Sequence, residues 1–249
     1  MLHSAVDAIC SQYERHHDSA RLLSSLSASV QGSPTPLHIA AAHGHAEVAE
    51  RLLRSNPWAV TTQDAAGKTA LHSACLHGQA QVLQPLLALK PRRVAVHLLL
   101  GCTDGAGRSA LSCACVASSA ATVEVLLAAG AEVDGSPGGA GRAANAWPAS
   151  TSPPPLHLAA LHGNVQLVAL LLESGAAVNS VDAQGRTPVT CATVEGFADV
   201  VELLLAHHAD PTIQDKSGTS AVDWSDMLDH DEIHSMFQRT SKPEIAQSG

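Results

Sequence analysis

Thr35-Pro36-Leu37-His38, followed by Ile39-Ala40-Ala41-Ala42-His43-Gly44-His45, is a stretch that recurs along this chain of 249 residues. The later copies vary in sequence but start with Thr, Ser or Pro, and these starts are Thr69, Ser109, Pro154, Thr187 and Ser220. The successive spacings are 34, 40, 45, 33 and 33 residues. A recurrence of this size is typical of a protein built from stacked repeats.

The copy that starts at Thr187 shows how one repeat is expected to fold, because nothing interrupts it. A turn at 182–186 leads to Thr187, which can cap a helix whose first residue is Pro188. Gly196 then breaks the chain, and apolar residues return at helical spacing from 198 to 206. The pattern predicts two antiparallel helices per repeat, which bury their apolar faces only by stacking on neighbouring repeats.

The copies at Thr35, Thr69 and Pro154 carry or closely match Thr-Pro-Leu-His-x-Ala, the signature of the ankyrin unit of about 33 residues. The chain therefore resembles the ankyrin-repeat family over roughly residues 31–238. The resemblance implies an all-α fold, an ankyrin-repeat solenoid of stacked antiparallel helix pairs with projecting turns. It also implies that the turn tips and the ends of the first helices form a concave surface for a protein partner.

The repeats and the stretches between them divide the chain into segments. We expect a degenerate helical cap at 1–30, ankyrin repeats at 31–63, 64–103, 104–134, 154–181 and 182–214, a capping repeat at 215–238 and a flexible tail at 239–249. Residues 135–153 are rich in Gly, Ala, Ser and Pro, a composition that cannot repay the entropy lost on ordering. We expect this segment to be a disordered insertion between repeats three and four.

Three features of repeats two and three depart from the regular pattern. Pro85 falls inside a predicted helix, where a proline removes a hydrogen bond and costs about 3 kcal/mol, so that this helix should be kinked or weak. The apolar stretch 96–100 should extend a connection and pack locally. Ser118 stands where other repeats carry a mid-repeat glycine.

Composition excludes several classes of function. The formal charge is −9, with a pI near 5.9, which disfavours nucleic acid as the main partner. No stretch approaches 18 apolar residues, the first residues lack a signal-peptide pattern, and the six cysteines lack paired spacing. We expect a monomeric protein without a membrane span, in the cytoplasm or nucleus, with reduced thiols.

Fifteen histidines raise the possibility of a metal site, which would need three or four converging ligands. The resemblance instead implies that His38, His72 and His157 hydrogen-bond within and between repeats. Cys113 and Cys115 have no second ligand pair, and phosphate loops, nucleophile elbows and zinc-protease helices are absent from the sequence. We expect no catalytic residue, no metal and no cofactor.

The family's partner-facing positions carry over to the turn tips and first-helix ends. They are Ala42, His43, Ala65, Ala66, Lys68, Leu76, His77, Ala106, Arg108, Val116, Leu161, His162, Ala183, Gln184, Arg186, Val194, Glu195 and Lys216. Lys68, Arg108 and Arg186 form a basic row that would suit an acidic segment of a partner, although exposed cations usually add little affinity. The expected partner is another protein, bound through an acidic or helical segment.

The leading hypothesis is a non-enzymatic interaction module that acts as an adaptor, scaffold or stoichiometric regulator. A second hypothesis is a substrate receptor or assembly factor for a ligase or proteasome-type machine. From another class, a histidine-rich metal protein or enzyme is disfavoured because no ligand set converges. In a further alternative, the 135–153 insertion is itself a recognition loop, since it carries Ser-Pro and Pro-rich sequence.

Overall fold

A computed structural model describes residues 33–88, 96–134 and 152–241 of the chain. The expected N-terminal cap at 1–30 lies outside these ranges, as do residues 135–151 of the insertion and 242–249 of the tail. Regular structure within the described ranges is helical, and an isolated bridge joins Thr103 to Ser109. The expected all-α class is confirmed.

The chain forms two compact units, Met1–Gly139 and Ala140–Gly249, called here unit 1 and unit 2. The helices of unit 1 are α1 (Pro36–Ala42), α2 (Ala46–Ser55), α3 (Ala70–Leu76), α4 (Ala80–Ala88), α5 (Val96–Leu100), α6 (Ala110–Val116) and α7 (Ala120–Ala128). A 3₁₀ helix, Pro57–Thr61, follows α2. The helices of unit 2 are α8 (Pro155–Leu161), α9 (Val165–Glu173), α10 (Pro188–Glu195), α11 (Ala198–Ala206), α12 (Ala221–Met227) and α13 (Asp231–Ser241).

Each unit is a double layer of helices. In unit 1 the short first helices α1, α3 and α6 pack on one another, and the second helices α2, α4 and α7 form the layer behind them. Unit 2 repeats the arrangement, with α8, α10 and α12 in front of α9, α11 and α13. The interior between the layers is built from leucines, each contributing about 1.5–3 kcal/mol of burial. The fully buried ones include Leu37, Leu53, Leu71, Leu83, Leu111, Leu126, Leu156, Leu167, Leu171 and Leu204.

The first helices begin as the sequence predicts. The side-chain oxygen of Thr187 accepts a hydrogen bond from the backbone N–H of Thr190, and Pro188 occupies the first helical position. The helix ends at Gly196, whose φ of 78° is left-handed. Ser118 and Asp229 occupy the equivalent positions of their repeats with φ of 53° and 55°. The backbone therefore demands a left-handed residue there even where the sequence supplies no glycine.

Two irregular stretches turn out more helical than expected. Pro85 lies inside α4, which continues to Ala88, so that the helix survives the loss of one backbone hydrogen bond. The stretch 96–100, expected to lengthen the connection and pack locally, forms the helix α5, and its Leu99 and Leu100 are buried.

The last helix is longer than predicted, since α13 runs to Ser241 and not to an end near Gln238. The sequence offers a stop only at Pro243, which disfavours helical backbone at the residue before it. Residues 239–241 of the expected flexible tail are therefore helical, and residues 242–249 lie outside the described ranges.

Candidate functional site

The predicted partner-facing residues occupy equivalent places in successive repeats of each unit. At the first-helix ends, His43, His77, His162 and Glu195 are exposed, while Ala42, Leu76, Val116, Leu161 and Val194 are half-buried. At the turn tips, Ala65, Ala66, Ala106, Gln184 and Lys216 are exposed, and Lys68, Arg108, Ala183 and Arg186 are half-buried. We call these eighteen residues the row, and each unit carries its own part of it.

An aspartate shapes each turn that carries the row. In repeat three, Asp104 Oδ1 accepts hydrogen bonds from the backbone N–H groups of Ala106 and Arg108, both at 2.9 Å. Asp182 does the same for Gln184 and Arg186, at 2.9 and 2.8 Å. These side chains mimic a backbone turn, so that the tip is rigid before any partner arrives.

Two of the four Lys and Arg side chains in the row, those of Arg108 and Arg186, are paired within their own turns. Arg108 donates from Nε and Nη2 to Asp104 Oδ2, at 2.9 and 2.8 Å. Arg186 makes the same fork on Asp182, at 3.0 and 2.8 Å. Burial raises the pKa of the Asp104 carboxyl, but the hydrogen bonds from Arg108 outweigh it and leave that pKa lowered. Much of the positive charge that the sequence analysis assigns to partner binding is therefore neutralised by these pairs.

Lys68 and Lys216 behave differently from the arginines. Among the described residues Lys68 has no ion pair, whereas Lys216 Nζ donates to the carbonyl oxygen of Ala183 at 2.7 Å. The residual positive charge of the row in unit 1 therefore centres on Lys68.

Neighbouring turns within a unit are joined at their tips. The backbone N–H of Gly105 donates to the carbonyl oxygen of Ala66 at 2.8 Å in unit 1. In unit 2 the backbone N–H of Lys216 donates to the carbonyl oxygen of Gln184 at 2.9 Å. A hollow of about 490 Å³ lies between the turns of residues 65–68 and 104–108. The tips thus form a continuous edge in each unit, with a shallow depression between two of them in unit 1.

The motif histidines link each first helix to the following turn. His38 Nε2–H donates to the carbonyl oxygen of Lys68 at 2.8 Å, while its Nδ1 accepts from Thr35 Oγ1 at 2.7 Å. His72 and His157 make the corresponding Nε2 bonds to Arg108 and Arg186, at 3.1 and 2.8 Å. Burial lowers the pKa of all three rings, that of His157 to about 4. These neutral, hydrogen-bonded rings have a structural role, as the resemblance implied.

His157 lacks one of the bonds that the other two rings make. Its Nδ1 is buried and has no hydrogen-bond partner. The cause is Pro154, which occupies the position of Thr35 and Thr69 but has neither a hydroxyl nor a backbone N–H.

Two exposed histidines of the row, His77 and His162, hydrogen-bond to the backbone of their own first helices. Nδ1–H donates to the carbonyl oxygen four residues earlier, from His77 to Ser73 at 2.9 Å and from His162 to Leu158 at 2.7 Å. Within residues 33–88, 96–134 and 152–241, no three His, Cys, Asp or Glu side chains are grouped so that they could hold a metal ion.

The thiols of Cys75, Cys113, Cys115 and Cys191 are all buried. Burial raises the pKa of Cys113, Cys115 and Cys191 to about 12, which keeps these groups protonated at neutral pH. A buried, protonated thiol is a poor nucleophile.

Sequence reasoning missed two residues that belong with the row. Met227 is 68% exposed and Leu228 is 39% exposed. They end the first helix of the capping repeat, at the positions that Val194 and Glu195 hold 33 residues earlier. The repeat spacing alone could have identified them, but the predicted row stopped at Lys216.

Comparison with known proteins agrees with this architecture. A family profile described as ankyrin repeats in three copies matches residues 7–95 and 140–215. Human ankyrin repeat domain-containing protein 63 is 39% identical over 75 residues, which are 30% of this chain and 20% of that protein. Mouse Rabankyrin-5 is 43% identical over 65 residues, 26% of this chain and 6% of that protein.

The chain thus spans a fifth or less of the length of these two relatives. Among solved structures, the ankyrin repeat domain of Bcl-3 superposes with a TM-score of 0.69 at 23% identity, covering 88% of this chain and 92% of that one. Within the described residues, none of the helices has the length and apolar character needed to cross a membrane.

Proposed function

Because the chain belongs to the ankyrin-repeat family, whose repeats generally mediate protein–protein interaction, we propose that it is a non-catalytic interaction module that acts as an adaptor, scaffold or stoichiometric regulator. Its partner is another protein, which contacts the row in unit 1, with or without the row in unit 2. The molecule supplies a preformed surface, so binding costs little ordering of the turns themselves.

The observation that carries the proposal is the contrast between the row and the residues beside it. Next to the row, the turn aspartates Asp104 and Asp182, the Thr or Ser at the start of most first helices and the three motif histidines are mostly buried, and they are hydrogen-bonded within a repeat or to the next turn. The row positions lie toward solvent and change from Ala to Leu, Val, His or Glu between repeats. A rigid frame that presents variable side chains suits selective recognition of a partner.

The non-catalytic part of the proposal is supported by the fate of the reactive groups. The motif imidazoles are buried, neutral hydrogen-bonding groups, and the four buried thiols are protonated at neutral pH. The arginine and aspartate pairs stabilise their own turns.

The proposal is tested by comparing two variants of the full chain as baits in native extract. In the row variant, Ala66→Glu and Ala106→Glu add two carboxylates at exposed turn tips of unit 1. In the matched control, Gln81→Glu and Ala121→Glu add two carboxylates at exposed positions of the second helices of the same unit.

Quantitative mass spectrometry of the captured proteins should find the same partners in similar amounts with wild type and control. The row variant should capture at least about tenfold less of each partner. Thermal melts of all three proteins establish that both variants fold. Equal capture by the row variant, or no captured protein at any salt concentration with wild type, would count against the proposal.

A further inference from the structure

The acidity of the chain is concentrated in unit 2. Its described residues, 152–241, contain twelve Asp and Glu but only three Lys and Arg. The described residues of unit 1 contain seven Asp and Glu and four Lys and Arg. Within 152–241, the one ion pair between a carboxylate and Lys or Arg joins Asp182 to Arg186. Most carboxylates of unit 2 are therefore uncompensated.

The end of α12 brings apolar surface and this negative charge together. Met227 and Leu228 are large apolar side chains exposed to solvent, and Asp226 and Asp229 flank them in the chain. Both aspartates are exposed and make no ion pair within the described residues. An apolar patch rimmed by polar groups is a common mark of an interaction site.

A capping role explains the carboxylates but not the two apolar residues. Terminal repeats of a stack need a polar outer face for solubility, and Asp and Glu satisfy that need. Met227 and Leu228 make this outer face less polar, yet they occupy the partner-facing positions of their repeat. Since α8, α10 and α12 pack in succession, Leu161, Val194 and Met227 occupy the same position in consecutive first helices.

We infer that the end of α12 is the docking point for a basic amphipathic helix of the partner protein. Apolar side chains of that helix cover Met227 and Leu228, and its lysines or arginines face Asp226, Asp229 and the exposed Glu195. The inference rests on the proposed function and names the partner chemistry for unit 2. An acidic segment does not fit here, because Asp and Glu outnumber Lys and Arg twelve to three in residues 152–241 and Arg186 is already paired with Asp182.

The test uses the full chain and a fluorescent synthetic peptide of about 18 residues, an amphipathic helix of leucine and lysine about five turns long. A second peptide carries glutamate in place of every lysine. Two variants address the patch. The apolar variant, Met227→Ser with Leu228→Ser, removes the apolar surface. The charge variant, Asp226→Asn with Asp229→Asn, removes the charge, and asparagine tolerates the left-handed backbone at position 229.

Matched controls lie on the second helices of unit 2. Val165→Ser removes another exposed apolar residue, and Glu173→Gln with Glu202→Gln removes two other exposed carboxylates. All substituted side chains are exposed, so the variants should fold, and circular dichroism checks that they do.

Fluorescence anisotropy should show that the basic peptide binds wild type and both controls with dissociation constants within about twofold of one another. The dissociation constant should rise about tenfold in the apolar variant. It should rise about three- to tenfold in the charge variant, an effect that shrinks as salt is added. The acidic peptide should not bind.

Equal binding of the basic peptide to the apolar variant and to Val165→Ser would overturn the inference, as would equal binding of the acidic peptide. A second copy of the chain is the competing occupant. Self-association in sedimentation that is lost in the apolar variant, without peptide binding, would also overturn it. If the peptide test fails while the unit 1 row variant still loses its partners, the proposed function stands and only the partner class for unit 2 is wrong.

Discussion

Position 154 illustrates how one residue of the repeat signature affects a buried hydrogen bond. Pro154→Thr would place a hydroxyl beside His157 Nδ1, as Thr35 does for His38 at 2.7 Å. We expect the free energy of unfolding to rise by about 1 kcal/mol, because a buried acceptor gains its partner. Urea denaturation of the full chain measures this change. Pro153→Thr, one residue earlier, is the control, and a gain no larger at 154 than at 153 would refute the explanation.

The buried rings also predict a pH dependence of stability. Burial depresses the pKa of folded His157 to about 4, so the unfolded chain, with a pKa near 6.5, binds more protons between these values. Stability is therefore complete above pH 6.5 and falls as the pH approaches 4, with a loss of about 2 kcal/mol between pH 7 and pH 5 from this group. His38 and His72 act in the same direction.

Urea titrations at the two pH values measure the loss. His162→Gln, an exposed position, should keep the wild-type difference, whereas His157→Gln should reduce it. The same difference in both variants would show that other groups set the acid sensitivity.

Ser118 and Ser119 form a natural pair for testing backbone strain. Ser118 is left-handed, with φ of 53°, whereas Ser119 is extended and its Oγ lies 2.7 Å from Thr122 Oγ1. Ser118→Gly should raise the free energy of unfolding by about 1 kcal/mol, since glycine carries no Cβ penalty there. Ser119→Gly should lower it. Thermal melts distinguish the two, and destabilisation by both substitutions would contradict the assignment of strain to position 118.

At the level of helices, α4 should be weakened by the proline that it accommodates. Pro85→Ala restores an N–H that can bond to the Gln81 carbonyl, four residues earlier. The helix should gain about 3 kcal/mol from the substitution, and the unfolded chain should become more flexible, which offsets part of this gain. We therefore expect the free energy of unfolding to rise by about 2 kcal/mol. The exposed Gln84→Ala on the same helix should change little. Chemical denaturation compares them, and a stability of the Pro85→Ala variant equal to that of Gln84→Ala would mean that α4 carries no penalty.

The sequence predicted most helices because their signals are local. Thr187, Pro188 and Gly196 specify a helix start and stop within ten residues, and the structure agrees. The helical form of Val96–Leu100 was not predictable, because a short apolar run does not distinguish a helix from an extended connection.

The positions of the row come from the family resemblance, which says nothing of how the charged side chains of the row are paired. The pairing of Arg108 with Asp104 depends on how one turn folds on itself, which the repeat pattern does not contain. Met227 and Leu228 lie 33 residues after Val194 and Glu195, so the repeat spacing could have identified them. They were missed because the capping repeat has Ser-Ala-Val-Asp at 220–223 in place of Thr-Pro-Leu-His.

At the level of the molecule, the irregularities fall mainly in unit 1, which contains both Pro85 and Ser118. Unit 1 should therefore open at lower denaturant concentration than unit 2. Buried thiols report on each unit, Cys75, Cys113 and Cys115 on the first and Cys191 on the second. Pulsed alkylation across a urea series, read by mass spectrometry, should modify the three thiols of unit 1 before Cys191. Simultaneous or reversed modification would show that the irregular repeats do not set the order.

The central claim is that partners meet the row, and it is tested most directly by mapping contacts residue by residue. A photo-reactive amino acid would be placed singly, in the full chain, at exposed row positions such as Ala66, His77, Gln184 and Glu195. Exposed second-helix positions, Gln81 and Glu202 among them, serve as references. After irradiation in native extract, crosslinks to partner proteins should concentrate at the row positions of at least one unit. Equal yields at the second helices, or crosslinks only there, would contradict the account.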